Sequence, residues 1–316
     1  MNTKLLLGGM AAAGAAAAFG GAAKLFNSVI PRQDGLKVDL SEMADMQQWE
    51  EYRKIITPRK EALLARPHES VTLTTHDGLR LKANYFPCDQ PTDKMVLALH
   101  GYTSKGVSDY AALSHFYLNA GYDMFIPDLR SHGESEGKYY GFGLLDRFDC
   151  LEWIRLIGRT FGAEKKIVLH GTSMGAATVL MTGGFQELPD SVRCIVADCA
   201  FTSPYDVFTH ILKRDYHLPP FPVMDINNLL CKQTAGYGFR DYSTIEALQT
   251  NTRPVLLIHG SEDKFVPTRM SFENYNACTA PKELLIVDHA GHAASYYENP
   301  ALYEEKLSGF LTQYML

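Results

Sequence analysis

This 316-residue chain has no CxxC pair, no HExxH or HxH spacing and no long basic run. The first absences argue against a zinc site or a thioredoxin-type redox pair. The third, with 30 Lys+Arg against 36 Asp+Glu and a net charge of −6, gives nucleic acid nothing to hold. Nothing after residue 24 repeats or falls to low complexity. Six cysteines are present: Cys88, Cys150, Cys194, Cys199, Cys231 and Cys278. Cys194 and Cys199 lie five apart in one strand-like run, on opposite faces and too distant to bridge. The six read as free thiols serving as small apolar residues. An even count in an exported protein keeps one disulfide open, for example one involving Cys231. What the chain does have is 46% hydrophobic residues, enough for one large core.

Leu5 to Ala23 is a run of 19 uncharged residues, nearly all Leu, Ala and Gly, between Lys4 and Lys24. As a helix it would extend roughly 28 Å, close to a bilayer's hydrocarbon thickness. Two readings stay open: an uncleaved membrane anchor, or a signal peptide with a small-residue site before Lys24. Either implies a membrane-tethered or exported protein, with sidedness unsettled by Lys24, Arg32 and Lys37 beyond the run. The absence of a cysteine near its end excludes a lipoprotein anchor. The expected organisation is a leader or anchor over 1–24, then a linker and an amino-terminal helix over 25–66. The linker is placed at 25–40 and the helix at 41–66, interrupted at Pro58. A catalytic-type domain over 67–316 follows.

From residue 70 strand-like and helix-like runs alternate. SVTLTTHDG and RLKANYFP have period-two patterning around a His-Asp-Gly turn, which predicts a hairpin. Six short apolar runs follow, at 95–100, 123–129, 166–170, 194–200, 254–259 and 283–288. Continuous apolar runs suit parallel strands buried on both faces. Helical candidates lie between them, at about 107–120, 143–161, 174–186, 268–279 and 298–313. The alternation predicts an α/β fold, a mostly parallel sheet with helices on both faces. The long stretch between Cys199 and Pro254, rich in aromatics and proline, is predicted to insert a cap at about 201–250 over the carboxyl ends of the strands.

Gly171-Thr172-Ser173-Met174-Gly175 sits between one of these strands and a helix opening Gly-Ala-Ala. G-x-S-x-G is weak alone, but a sharp strand-to-helix turn needs small residues two before and two after the serine. Such a turn lifts the hydroxyl above the sheet and aims free helix N–H groups at the reacting centre.

With His100-Gly101-Tyr102, Asp128-Leu129-Arg130-Ser131-His132-Gly133-Glu134-Ser135, Gly260-Ser261-Glu262-Asp263 and Ala290-Gly291-His292, this turn gives the chain its resemblance to the α/β-hydrolase superfamily of serine hydrolases. The resemblance covers roughly residues 68 to 314. Within the superfamily the chain is similar to bacterial, membrane-associated esterase-like members near the serine aminopeptidase-like group. It implies an order of nucleophile, acid and base along the chain. Ser173 would be the nucleophile. His292, after the flexible Gly291, is preferred as base over His289, which ends the last strand directly. Asp263 is preferred as acid; Asp198, at the preceding strand's end, is its competitor, Glu262 points elsewhere, and Asp288 reads as a strand-end hydrogen-bonding residue. The backbone N–H groups of Tyr102 and Met174 would form the oxyanion hole. His100, His132 and His170 read as structural histidines, not metal ligands.

The implied chemistry is acyl transfer to water through an acyl-enzyme, with no cofactor and no metal, on a small-molecule acyl substrate. Carboxylic esters are the expected substrates. Amides or peptides and thioesters use the same machinery, and a non-catalytic binding module is the remaining alternative.

Overall fold

The computed structural model describes residues 19–33 and 46–315. Its centre is one eight-stranded sheet in the order β1-β2-β4-β3-β5-β6-β7-β8. β1 (Glu69–Thr74) and β2 (Arg80–Phe86) form the hairpin, and β2 runs antiparallel to β4 (Asp123–Pro127). β3 (Lys94–Leu99), β5 (Lys166–Thr172), β6 (Val192–Asp198), β7 (Val255–Gly260) and β8 (Lys282–Val287) continue it in parallel.

Strand parity builds both layers. Met95, Leu97, Ile167, Leu169, Ile195, Leu257 and their neighbours face one hydrophobic cluster, which includes Trp153 and Ile157 of α5 (Asp146–Phe161) and Leu180 of α6 (Met174–Gly183). Val96, Ala98, Val168, Val196, Leu256 and Ile258 face the other, against Tyr110 of α3 (Gly106–Tyr110), Tyr117 of α4 (Ser114–Asn119) and Phe310 of α12 (Pro300–Tyr314). The central strands therefore show no polar alternation, which is why their runs are continuously apolar. The six cysteines are all free thiols, including Cys231.

Three expectations change. Residues 25–33 are not linker: residues 19–29 form a helix, α1, whose Ala22 and Phe26, with Ile30 just past its end, recur at four-residue spacing and enter the main core. Residues 1–18 and 34–45 lie outside the described residues, and with them most of the run Leu5 to Ala23 read as an anchor or leader. Among the described residues no helix is long and apolar enough to cross a membrane. Next, α2 (Met46–Leu64) runs through Pro58 without interruption. Pro58 lies on the exposed side, while Tyr52 and Leu63 are buried on the other. Tertiary packing overrides a helix-breaking penalty of about 3 kcal/mol. Finally, the cap region holds α7 (Pro204–Tyr216) and α8 (Val223–Thr234), but α9 (Thr244–Thr250) buries Ala247 and Leu248 in the main domain, and Thr244 Oγ1 donates to the Thr202 carbonyl (3.0 Å).

The Asp-Leu-Arg-Ser-His-Gly-Glu-Ser run is a brace. The Arg130 guanidinium makes two 2.6 Å bonds to Asp149 of α5, both side chains being almost fully buried, and a third at 3.0 Å to Asp77 in the hairpin turn. Ser135 Oγ donates to the Asp128 carbonyl (2.6 Å) and accepts from the Lys82 N–H (2.9 Å). Removing one member of a buried pair strands the other's charge, at about 3–5 kcal/mol. Arg130→Ala is therefore expected to lower the thermal midpoint by roughly 5–10 °C; an unchanged midpoint in calorimetry would show that the pair contributes nothing net.

Candidate active site

The turn from β5 to α6 is forced by close packing. Ser173 has φ +56° and ψ −113°, a backbone conformation that costs about 1–3 kcal/mol for a side-chain-bearing residue. Its N–H donates to the Asp198 carbonyl of β6 (2.8 Å). A Cβ at position 171 would collide with the backbone of Gly175 and Ala176, and one at 175 with the carbonyls of Leu99 and His100. Only glycine fits either place. All ten residues of α6 are buried, so the helix has no room to retreat.

Above the turn three side chains meet. Ser173 Oγ lies 2.9 Å from His292 Nε2, and His292 Nδ1 lies 2.7 Å from Asp263 Oδ2. Asp263 Oδ1 accepts the N–H groups of Phe265 and Val266, each at 2.9 Å. Burial opposes the charge on Asp263. The His292 imidazole and hydrogen bonds from His259 and His292 outweigh burial and hold the carboxyl well below the usual carboxylate range.

The other candidates lie elsewhere. His289 and Glu262 pair with each other on the surface (3.1 Å), and Asp288 is exposed beside them. Asp198 is buried and accepts from Ser295 Oγ (3.2 Å) and from Tyr303; burial pushes its carboxyl up to about 6 despite these partners. His100 Nε2 accepts the Leu129 N–H (3.0 Å), and His170 is flanked by the hydroxyls of Tyr117 (2.7 Å) and Tyr303 (3.2 Å). His132, driven well below its usual pKa by burial and by His100, uses Nε2 to accept the Thr103 N–H (3.2 Å). The His100 and His132 rings fix loops through both nitrogens, while His170 ties β5 to α4 and α12.

His132 thus holds the loop that carries Tyr102. At Gly101 an added Cβ would touch Ser173 Cβ at 3.5 Å, so this loop runs directly beside the serine. Met174 is the first residue of α6, where amide groups lack an intrahelical acceptor. Tyr102 and Met174 join Ser173 in lining a cavity of about 270 Å³. Its walls are mostly apolar: Phe142, Phe201, Val207, Phe208 and Phe265 are among them, with α7 of the cap contributing Val207, Phe208 and the carboxylate of Asp215.

Sequence reasoning missed three neighbours. His259 Nε2 sits 3.1 Å from Asp263 Oδ2; its position just before Gly260 in the apolar run was the available signal. Cys199 Sγ lies within 4.8 Å of ligand atoms of Asp263 and His292, the one such three-residue cluster among the described residues, and burial raises its thiol well above the usual range. Leu25, Ser28 and Val29 of α1 also line the cavity.

A mostly parallel eight-stranded sheet carrying a strained serine at the strand-to-helix turn defines a hydrolase of the α/β type. The sequence model described as the alpha/beta hydrolase family matches residues 96–306, and the chain belongs to that family. It is 29% identical over 227 residues to the uncharacterized protein YqkD of Bacillus subtilis, covering 72% of this chain and 74% of that one. It is 26% identical over 213 residues to an uncharacterized membrane protein of Saccharomyces cerevisiae, YNL320W, covering 67% and 68%. Among solved structures, the Pyrococcus furiosus esterase Pf2001 superposes with a TM-score of 0.64 at 25% identity, covering 80% of this chain and 95% of that one.

The packing at the turn predicts that Gly175→Ala loses about 1–3 kcal/mol or more of stability through overpacking. Urea denaturation with an unshifted midpoint would show that the helix yields without cost.

Proposed function

We propose that this protein hydrolyses carboxylic esters through Ser173, His292 and Asp263. The observation that carries the reading is the unbroken chain from Ser173 Oγ through the imidazole to a carboxylate kept ionised, at the wall of an apolar cavity. Ser173 Oγ attacks the ester carbonyl carbon while its proton passes to His292 Nε2. The N–H groups of Tyr102 and Met174 receive the negative charge that develops on the carbonyl oxygen. The imidazolium, stabilised by Asp263, returns its proton to the departing alcohol. A water then repeats the sequence on the acyl-enzyme, releasing the acid and restoring Ser173. This cycle needs no cofactor.

Two further observations support esters. The Pyrococcus relative is an esterase. The cavity walls supply mostly apolar surface for an acyl group, and the one carboxylate among them, Asp215, is paired with Arg214.

A fluorophosphonate probe should label the wild type and not Ser173→Ala. Asp263→Asn should lower kcat on a nitrophenyl ester about ten-thousand-fold while the protein stays folded, because the imidazole then favours the wrong tautomer. Folded wild type that takes no probe would sink the reading in favour of a binding module. Faster turnover of aminoacyl amides than of esters would move it to a peptidase.

The protein is also proposed to be membrane-tethered or exported, on the strength of the apolar run Leu5 to Ala23 and of the yeast relative described as a membrane protein. Full-length chain should stay with membranes after alkaline carbonate washing if it is tethered. Recovery in the cytosolic fraction alone would count against both forms of the idea.

A further inference from the structure

The cavity is completed from outside the family-matched residues. α1 precedes that match by more than sixty residues, yet Leu25, Ser28 and Val29 line the cavity together with residues of the cap helix α7. The segment is held there by specific bonds. Ala22, Phe26 and Ile30 anchor its buried face. The Tyr140 N–H donates to the Ile30 carbonyl (2.9 Å), the Arg32 N–H donates to the Lys138 carbonyl (2.8 Å), and Pro31 bridges Tyr139. The Arg32 guanidinium caps the carbonyls of Ser135 (2.6 Å) and Gly133 (2.9 Å). Tyr102 Oη donates to the Val29 carbonyl (2.9 Å), tying the helix to the loop beside Ser173. With the anchoring face turned into the core, Leu25 and Val29 present the adjacent face to the cavity.

Resting on the ester-hydrolase reading, we propose that α1 is the specificity wall of this site. Leu25 and Val29 limit the length and bulk of an apolar, medium-chain acyl group. At about 270 Å³ the cavity lies near the lower end of the ~300–1,000 Å³ typical of small-molecule sites, so one wall residue matters. Changes of a methylene or two in such pockets alter selectivity roughly 10- to 200-fold. The acyl group lies between α1 and the cap helix α7, and the alcohol leaves toward solvent.

The test uses the full-length chain and nitrophenyl esters of acetate, butyrate, octanoate and dodecanoate. Val29→Trp fills the space and should lower the octanoate-to-acetate ratio of kcat/KM at least tenfold. Leu25→Ala, which shaves a partly buried side chain at the edge of the core, should raise the dodecanoate-to-octanoate ratio severalfold. Lys24→Ala, on the solvent side of the same helix, should keep both wild-type ratios. Ratios in the two wall variants within twofold of wild type would overturn the proposal, whatever happens to absolute rates. So would a selectivity change seen only along a series of alcohols esterified to acetate, since the cavity would then hold the leaving group. Wild type that hydrolyses none of the esters and takes no fluorophosphonate would instead overturn the esterase reading itself, and this inference with it.

Discussion

The backbone of Ser173 is held where a side-chain-bearing residue does not settle by itself, and the rest of the site depends on that constraint. Gly171 closes on Gly175 from one side, and the carbonyls of Leu99 and His100 close on Gly175 from the other. β5 and β3 are paired neighbours, so the same contact that fixes the serine fixes the loop following β3 beside it. The strained turn and the placement of the Tyr102 loop are therefore one packing event. The strain is small against the burial of α6 and of the strands around it.

Around that fixed point the polar groups are sorted by partners. Asp198 ends β6 and Asp263 lies in the loop just past β7, and both are nearly inaccessible to water. Asp263 receives two amide N–H groups and two imidazoles, so its charge is well supported. Asp198 receives hydroxyls, and burial dominates its carboxyl. Lying at or just past a strand end does not decide which carboxylate pairs with His292; the donors around it do.

That difference marks where the sequence was legible. Sheet strands were readable because burial on both faces erases polar alternation, and the serine turn because only glycine satisfies its contacts. Asp263 and His292, which the structure brings together with Ser173, were singled out through motif order and not through any visible local property. The α1 helix was missed because its amino-terminal half belongs to an apolar run that resembles a leader, which hides the four-residue spacing of Ala22, Phe26 and Ile30. The continuous helix through Pro58 was missed because a local rule was overridden by the packing of Tyr52 and Leu63. His259 looked like one more strand residue; its role as a neighbour of Asp263 exists only once the loop after β7 folds back on itself.

His259 also explains the orientation of the hydrogen-bond chain. Its Nε2 faces the Val266 carbonyl oxygen at 2.8 Å, an atom that only accepts, so Nε2 carries hydrogen and can also donate toward Asp263 Oδ2. In the neutral ring its Nδ1 then accepts from Ser271 Oγ at 2.6 Å. Asp263, ionised and surrounded by donors, can only accept from His292 Nδ1. A neutral imidazole that donates from Nδ1 must present a bare Nε2, and that nitrogen faces Ser173 Oγ. The directionality of the whole chain thus follows from one main-chain carbonyl and one ionised carboxylate. Both are set by the loop between β7 and α10 (Arg269–Ala277), well away in sequence from the serine they orient.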